Sequence, residues 1–149
     1  MAANEHAVDL LNGLIETTLD SAHGYKEAAE HVSSPQIKRS FAERADRRLD
    51  LSRQLQQEVR RLGGEPKNEQ SLLGKAHNKF AALKGAMTGD NVKSVVDEVE
   101  RGEDAIKGRY EKAASETDLP METRQFVQTA YASIKADHDD VSRLKHQLH

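Results

Sequence analysis

Apolar residues recur every three or four positions along most of the chain, which is the period of an amphipathic α-helix. The first such segment covers residues 4–32, and its apolar stripe consists of Val8, Leu11, Ile15, Thr18, Ala22, Tyr25, Ala29 and Val32. The turn Ser33–Pro35 ends this helix and starts the next, because Ser is a good N-cap and Pro is tolerated in the first turn. A second helix is therefore predicted over residues 36–62. Gly63–Pro66 stops it, since Gly supplies a left-handed cap and Pro cannot continue a helix.

Two more long helices are predicted over residues 91–114 and 121–148, separated by the turn Ser115–Pro120. The connection between the second and third long helices contains a short amphipathic segment, residues 72–86. We interpret this segment as a crossover helix that docks on the bundle through Leu72, Phe80 and Leu83, because its apolar side must be buried somewhere. Glycines within the long helices, Gly24, Gly102 and Gly108, suggest close approach of neighbouring helices.

The lengths of the connections order the helices in space. Short turns require antiparallel neighbours, whereas the long connection can return the chain along the bundle and make the second and third helices parallel. The 149 residues correspond to one domain, and a content of 32% charged and only 4% aromatic residues suits an all-α protein. The predicted fold is a ferritin-like four-helix bundle: two antiparallel pairs joined by a long crossover that carries a short amphipathic helix.

Charge and composition exclude several classes of protein. The 22 Lys and Arg residues are interleaved with 25 Asp and Glu residues, and a net charge of -3 gives no long-range attraction to nucleic acid. Cys is absent, which excludes disulfides and Cys-ligated metal sites. The N-terminal segment lacks a basic region, and no apolar run reaches the length of a membrane span. We expect a soluble cytoplasmic protein.

The segments "LIETTLDSAHGYKEAAEHV", "RRLGGEP" and "ERGEDAIKGRYEKA" resemble an uncharacterised bacterial four-helix-bundle family, a ferritin-like domain of unknown function. The resemblance covers nearly the whole chain, and "RRLGGEP" and "ERGEDA" are its most specific parts. It implies a ferritin-like fold and a stress-linked setting. It brings no established activity and no catalytic residues.

Glu103 lies on the apolar stripe of the third long helix, where inward carboxylates hold paired iron or manganese in other bundles. That di-metal pattern needs an inward Glu on two helices and Glu-x-x-His on the other two, and the sequence contains no Glu-x-x-His. The nearest match is Asp20-x-x-His23, which at 100° per residue points away from the stripe, and we expect both side chains to face water. No cofactor is predicted, and a di-metal site is not favoured.

Residues near the middle of the four long helices predict a polar layer at one level of the core. Arg48 falls on the apolar side of the second helix, so an ion pair between Arg48 and Glu103 is the preferred interpretation, because a buried charge is tolerated only when paired. The alternative is an exposed bridge at the rim of the bundle. Glu103 and His138 remain weak candidates for metal ligands. The predicted central polar layer consists of Thr18, Arg48, Glu103, Asp137 and His138.

Three functions compete at this point. The first, which we favour, is a metal-free and non-catalytic bundle that acts as a structural or interaction module, with a protein partner or further copies of itself. The second is a metal-binding redox or storage protein of the same fold, holding iron or manganese. The third is membrane-surface binding through the crossover helix. A membrane is not favoured as a partner, and no binding to nucleic acid is predicted. No nucleophile elbow or phosphate-binding loop is present, so no enzymatic activity is predicted.

Overall fold

The computed structural model describes residues 2–68 and 92–148, which form four long α-helices. They are α1 (Ala2–His31), α2 (Pro35–Arg61), α3 (Val92–Ala114) and α4 (Met121–Leu148). The bounds agree with the four predicted long helices to within about two residues, the usual uncertainty of helix ends. The predicted crossover helix over residues 72–86, with its docking residues Leu72, Phe80 and Leu83, lies outside the described residues.

The turn between α1 and α2 and the end of α2 follow the local chemistry of the sequence. The Ser34 side chain accepts a hydrogen bond from the backbone N–H of Ile37, and Pro35 occupies the first helical position. At the other end, Gly63 has a φ of 85°, a conformation that Gly adopts without steric cost. The backbone N–H of Gly64 then bonds to the carbonyl of Val59 at 3.0 Å, which closes the helix end.

Side-chain contacts show how the helices run relative to one another. Helix α1 packs against α2 and α3, and α3 packs against α4. Thr18 bonds to Tyr110 and Tyr25 bonds to Glu103, so residue numbers rise along α1 as they fall along α3. The two helices are therefore antiparallel.

Helices α2 and α4 are also antiparallel, because Arg44 lies beside Asp140 while Arg61 lies beside Thr123. Since α1 contacts both α2 and α3, and α4 contacts α3, the helices α2 and α3 stand at diagonal corners of the bundle. They run parallel, as the long connection required. This is the topology of two antiparallel pairs joined by one crossover.

The apolar core is divided into two clusters along the bundle axis. One cluster surrounds Leu11, Leu55 and Ile134, and the other surrounds Phe41 and Val96. The residues buried between them are polar. The core therefore has three layers, of which the middle one carries the candidate site.

Gly102 and Gly108 do not mediate close helix approach, contrary to the prediction. Both are exposed, and a Cβ added at either would have no neighbouring atom within 4 Å. A close approach does occur at Gly64, where a Cβ would lie 2.7 Å from both methyl groups of Val8. Within the described residues, no helix is long and apolar enough to cross a membrane.

Replacing Gly64 by Ala is expected to lower the free energy of unfolding by about 1–3 kcal/mol, the usual cost of overpacking. The matched control is Gly108→Ala, which should raise it by about 1 kcal/mol, because Ala favours a helix interior and space is open there. Urea denaturation measures both. Equal effects of the two substitutions would contradict the close contact between residue 64 and α1.

Candidate functional site

The guanidinium group of Arg48 lies at the centre of the bundle and forms a two-pronged salt bridge with Glu103. Arg48 Nη1 is 2.8 Å from Glu103 Oε1, and Arg48 Nη2 donates to Glu103 Oε2 at 3.1 Å. Both residues are 1% exposed. The bridge spans the diagonal from α2 to α3, and its parallel geometry is the strongest that an arginine and a carboxylate can form.

The same guanidinium group also contacts α1 and α4. Arg48 Nη2 donates to Asp137 Oδ2 at 3.2 Å, and Arg48 Nη1 donates to the hydroxyl of Ser21 at 2.5 Å. One side chain therefore connects all four helices. Because each contact satisfies a donor that would otherwise be buried and unpaired, the arrangement meets the condition for placing a charge in a core.

Tyr25, on α1, provides a further hydrogen bond to Glu103. Its hydroxyl donates to Glu103 Oε1 at 2.6 Å, and its ring lies 5.4 Å from the guanidinium carbon of Arg48. Cations are attracted to aromatic faces at such distances. Tyr25 thus contributes to both members of the salt bridge.

Asp137 is held by a second arginine at the edge of α2. Arg47, which is half exposed, donates to Asp137 Oδ1 at 2.8 Å. The nearby Arg44 Nε is buried without a hydrogen-bond partner among the described residues, 3.8 Å from the same oxygen. Arg44 also pairs with Asp140 at 3.5 Å, so three arginines, Arg44, Arg47 and Arg48, balance the three carboxylates of Glu103, Asp137 and Asp140, and the cluster is formally neutral.

The environment of the cluster raises the pKa values of Tyr25 and Arg48, which preserves their hydrogen bonds to Glu103. Burial raises the pKa of the Tyr25 hydroxyl well above its ordinary value, and the negative charge of Glu103 raises it further. Burial alone would lower the pKa of Arg48, but the carboxylate of Glu103 outweighs this effect and raises it. Tyr25 is therefore a neutral donor and Arg48 a permanent cation at ordinary pH.

The structure separates the other two residues of the predicted polar layer from this network. The hydroxyl of Thr18 shares a hydrogen bond of 2.6 Å with the hydroxyl of Tyr110. His138 lies nearer the surface, where its Nε2 atom is hydrogen-bonded to Asp104 Oδ1 at 2.6 Å. Burial lowers the pKa of His138, but the bonds to Asp104 and Asp139 raise it more. His138 therefore connects α3 to α4 outside the central cluster.

The residues of the central cluster do not fit a metal ion. Two inward carboxylates, Glu103 and Asp137, are present, but the space between them is filled by the positive charge of Arg48. Over the described ranges 2–68 and 92–148, no group of three or more His, Cys, Asp or Glu residues is suitably placed to hold one. Asp20 and His23 are half-buried, where we expected full exposure, and they lie on the outer side of α1.

Sequence reasoning did not identify three participants in the cluster. Ser21 and Arg47 are absent from the predicted layer, and Tyr25 was placed on the apolar stripe without a polar role. The position of Ser21 could have been predicted, because Ser21 and Tyr25 are four residues apart and such residues lie on one face of a helix. The half-exposed position of Arg47 offered no signal.

The solved structures that match this chain define its class. One is a mutant of Dps1 from Mycobacterium smegmatis, with a TM-score of 0.80, 13% sequence identity and coverage of 97% of each chain. The likeness confirms the predicted fold class, a ferritin-like four-helix bundle. At this level of identity it carries the fold alone.

The family is shown by the sequence. The profile described as "Domain of unknown function (DUF2383)" matches residues 6–116, well over half of the chain, and the protein belongs to this family. The resemblance to an uncharacterised ferritin-like family is thereby confirmed. A search of the curated proteins finds no match.

Removing one partner of the central salt bridge should destabilise the protein strongly. We expect Arg48→Ala and Glu103→Ala each to lower the free energy of unfolding by about 3–5 kcal/mol, because each strands a buried charge. The combination of Arg48→Met with Glu103→Leu should recover most of that loss, since Arg47 still pairs with Asp137. Urea denaturation of the wild type and of these three variants measures the differences.

The matched control for this cycle is Arg47→Ala. Its side chain is 57% exposed, so the loss should stay within about 0–1 kcal/mol, the range of surface pairs. If the single substitutions at the buried pair also cost no more than the control, the central bridge would not be a structural requirement.

Stability should fall at alkaline pH because of the two buried tyrosines. Burial raises the pKa of Tyr110 to about 12, although the hydrogen bond with Thr18 opposes the increase, and the pKa of Tyr25 is also raised. Because the folded pKa exceeds the unfolded value of about 10, the stabilisation is complete below pH 10 and lost as pH rises toward the folded pKa.

The decline should reach about 1.4 kcal/mol per pH unit for each tyrosine in this window. Chemical denaturation at a series of pH values measures the slope. Tyr110→Phe should make the slope shallower, and an unchanged slope in that variant would show that Tyr110 does not contribute.

Proposed function

We propose that this protein is a metal-free and non-catalytic ferritin-like bundle that acts as a structural or interaction module. The observation that supports the proposal is the position of Arg48, whose guanidinium group lies between Glu103 and Asp137 at the centre of the bundle. This is the region where the di-metal members of the fold class place their metal ions. A permanent cation there takes the electrostatic role of the metal.

Charge balance explains why the two occupants exclude each other. A metal ion needs carboxylates whose negative charge is not already neutralised, and Glu103 is engaged by two guanidinium nitrogens and by Tyr25. Admitting a metal would require Arg48 to leave the core, and a buried arginine without a partner is strongly unfavourable. The cluster therefore favours a fixed structural role.

Burial also argues against catalysis at the cluster. Arg48 and Glu103 are each 1% exposed, which leaves little of either side chain accessible to a substrate. The surface cavity between α2 and α4, about 420 Å³ in volume, is lined by Arg48 and Asp137 but not by Glu103. The buried position of the cluster leaves the outer helix faces for contact with a protein partner or with further copies of the chain. A cytoplasmic location and the stress-linked setting implied by the family resemblance belong to this proposal and stay predictions.

The test is metal binding by the untagged protein. After incubation with ferrous iron and oxygen, followed by desalting, element-resolved analysis should find no stoichiometric iron or manganese, and no ferroxidase turnover should be observed. About two tightly bound metal ions per chain, the number in a dinuclear site, would refute the proposal.

A variant makes the test more specific. Arg48→Ala removes the cation that lies between Glu103 and Asp137 and leaves Glu103 without a cationic partner, while Arg47 still pairs with Asp137. Mn²⁺ should therefore raise the melting temperature of this variant and leave that of the wild type unchanged. Arg47→Ala is the matched control, because it removes an arginine of the same cluster from its exposed edge. Equal stabilisation of the wild type and Arg48→Ala by Mn²⁺ would show that Arg48 does not take the place of a metal.

A further inference from the structure

The surface cavity between α2 and α4 has the size of a site for a small organic molecule. Its volume is about 420 Å³. Sites for such molecules usually measure about 300–1,000 Å³. Small side chains on the α4 side contribute to this space, because Thr129, Ala130 and Ser133 reach less far across it than the side chains of α2. The cavity is therefore large enough for a small organic ligand.

One wall of the cavity is apolar. It is formed by Leu51 from α2 and by Phe126, Ala130 and Ile134 from α4. Leu51 and Phe126 are half-buried, because each packs against the core cluster that contains Ile134 and leaves part of its surface toward the cavity. Covering such apolar surface with the apolar part of a ligand is favourable.

The floor of the cavity consists of two buried charged residues, Arg48 and Asp137, and both are paired within the central cluster. Arg48 bonds to Glu103, and Asp137 accepts hydrogen bonds from Arg47 and Arg48. An anionic ligand would have to draw a guanidinium group away from one of these carboxylates. Leaving a buried carboxylate without its partner is strongly unfavourable. The floor therefore does not favour an anion.

Two further carboxylates, Asp46 and Asp50, line the rim of the cavity and are exposed. They are four residues apart on α2, so they lie on one face of the helix, where like charges repel each other. Asp50 accepts a hydrogen bond at 3.1 Å from the neutral side chain of Gln54. In the part of the chain that the structure describes, neither aspartate pairs with a cationic side chain. The uncompensated charge of the cavity is therefore negative.

We propose that the cavity between α2 and α4 binds a small organic cation, an amine with an apolar body. The apolar body packs against Leu51 and Phe126, and the ammonium group lies beside Asp46 and Asp50. An aromatic ring such as that of Phe126 also attracts a cation at its face. An inorganic cation would leave the apolar wall uncovered, and a neutral apolar molecule would not use the carboxylates.

The inference goes beyond the proposed structural role and does not depend on it. It rests on the lining of the cavity and not on whether the central cluster holds a metal. Its failure would leave the metal-free proposal standing, and the iron test described above has no bearing on it.

Three probes with the same apolar body and different head groups test the class of ligand: phenethylammonium, 2-phenylethanol and phenylacetate. Amide chemical shifts of the isotope-labelled protein are followed by NMR during titration at neutral pH. We expect phenethylammonium to shift amides in residues 46–54 and 126–137 and to bind at least several-fold more tightly than 2-phenylethanol, with phenylacetate the weakest. Equal affinities for the three probes, or no shifts in these two ranges with phenethylammonium, would overturn the proposal.

The role of the two carboxylates is tested by Asp46→Asn combined with Asp50→Asn. This variant should bind phenethylammonium several-fold more weakly and 2-phenylethanol as the wild type does, because the alcohol does not use the charges. The matched control, Glu30→Gln with Glu43→Gln, removes the same charge from exposed positions outside the cavity. Equal weakening by the two pairs would show a general attraction to net charge and would contradict the proposal.

The location is tested by Ser133→Phe. Ser133 is exposed and lines the cavity, so a larger side chain there can occupy the space without entering the core. Binding of both phenethylammonium and 2-phenylethanol should fall several-fold. The matched control is Ala132→Phe, at the neighbouring exposed position outside the cavity, which should bind both probes as the wild type does. Unchanged binding by Ser133→Phe would place the probes elsewhere on the protein and refute the proposed site.

Discussion

The structure depends on one buried charge, the guanidinium group of Arg48. A cation at the centre of a bundle is tolerated only if its donors are satisfied, and here Glu103, Asp137 and Ser21 satisfy them from three different helices. This requirement fixes the level at which α1, α3 and α4 stand relative to α2. Leu and Val side chains alone would permit neighbouring registers at a smaller cost, because apolar contacts are not directional.

The same requirement explains the division of the core. Apolar clusters above and below the central layer provide the free energy of burial, whereas the layer itself adds specificity more than stability. Tyr25 lies at the boundary between the polar layer and one apolar cluster. Its ring belongs to the cluster around Phe41 and Val96, and its hydroxyl donates to Glu103. The family has no known function, and a shared fold does not define a function. The role of the polar layer therefore follows from the contacts of these residues.

The acidic and basic residues are distributed unevenly along the sequence. Helix α1 is strongly acidic, whereas the connection that leaves α2 beside it carries lysines and no acids between residues 70 and 89. Where the chain leaves α2, the ammonium group of Lys67 pairs with Glu16 and its backbone N–H donates to Asn12, both on α1.

The four long helices, their order and the antiparallel pairs could be predicted from the amino-acid sequence, because helix period, Ser and Gly caps and loop lengths are local properties. It also indicated that Glu103 and Arg48 lie inward, since both fall on apolar stripes. Which polar groups meet became known from the packing of the helices. Tyr25, Ser21 and Asp137 bond to the Arg48–Glu103 pair, whereas Thr18 and His138 bond to other residues. The physical reason is that the helical period gives the direction of a side chain to within tens of degrees. A hydrogen bond depends on ångström distances, which are set by how the helices pack.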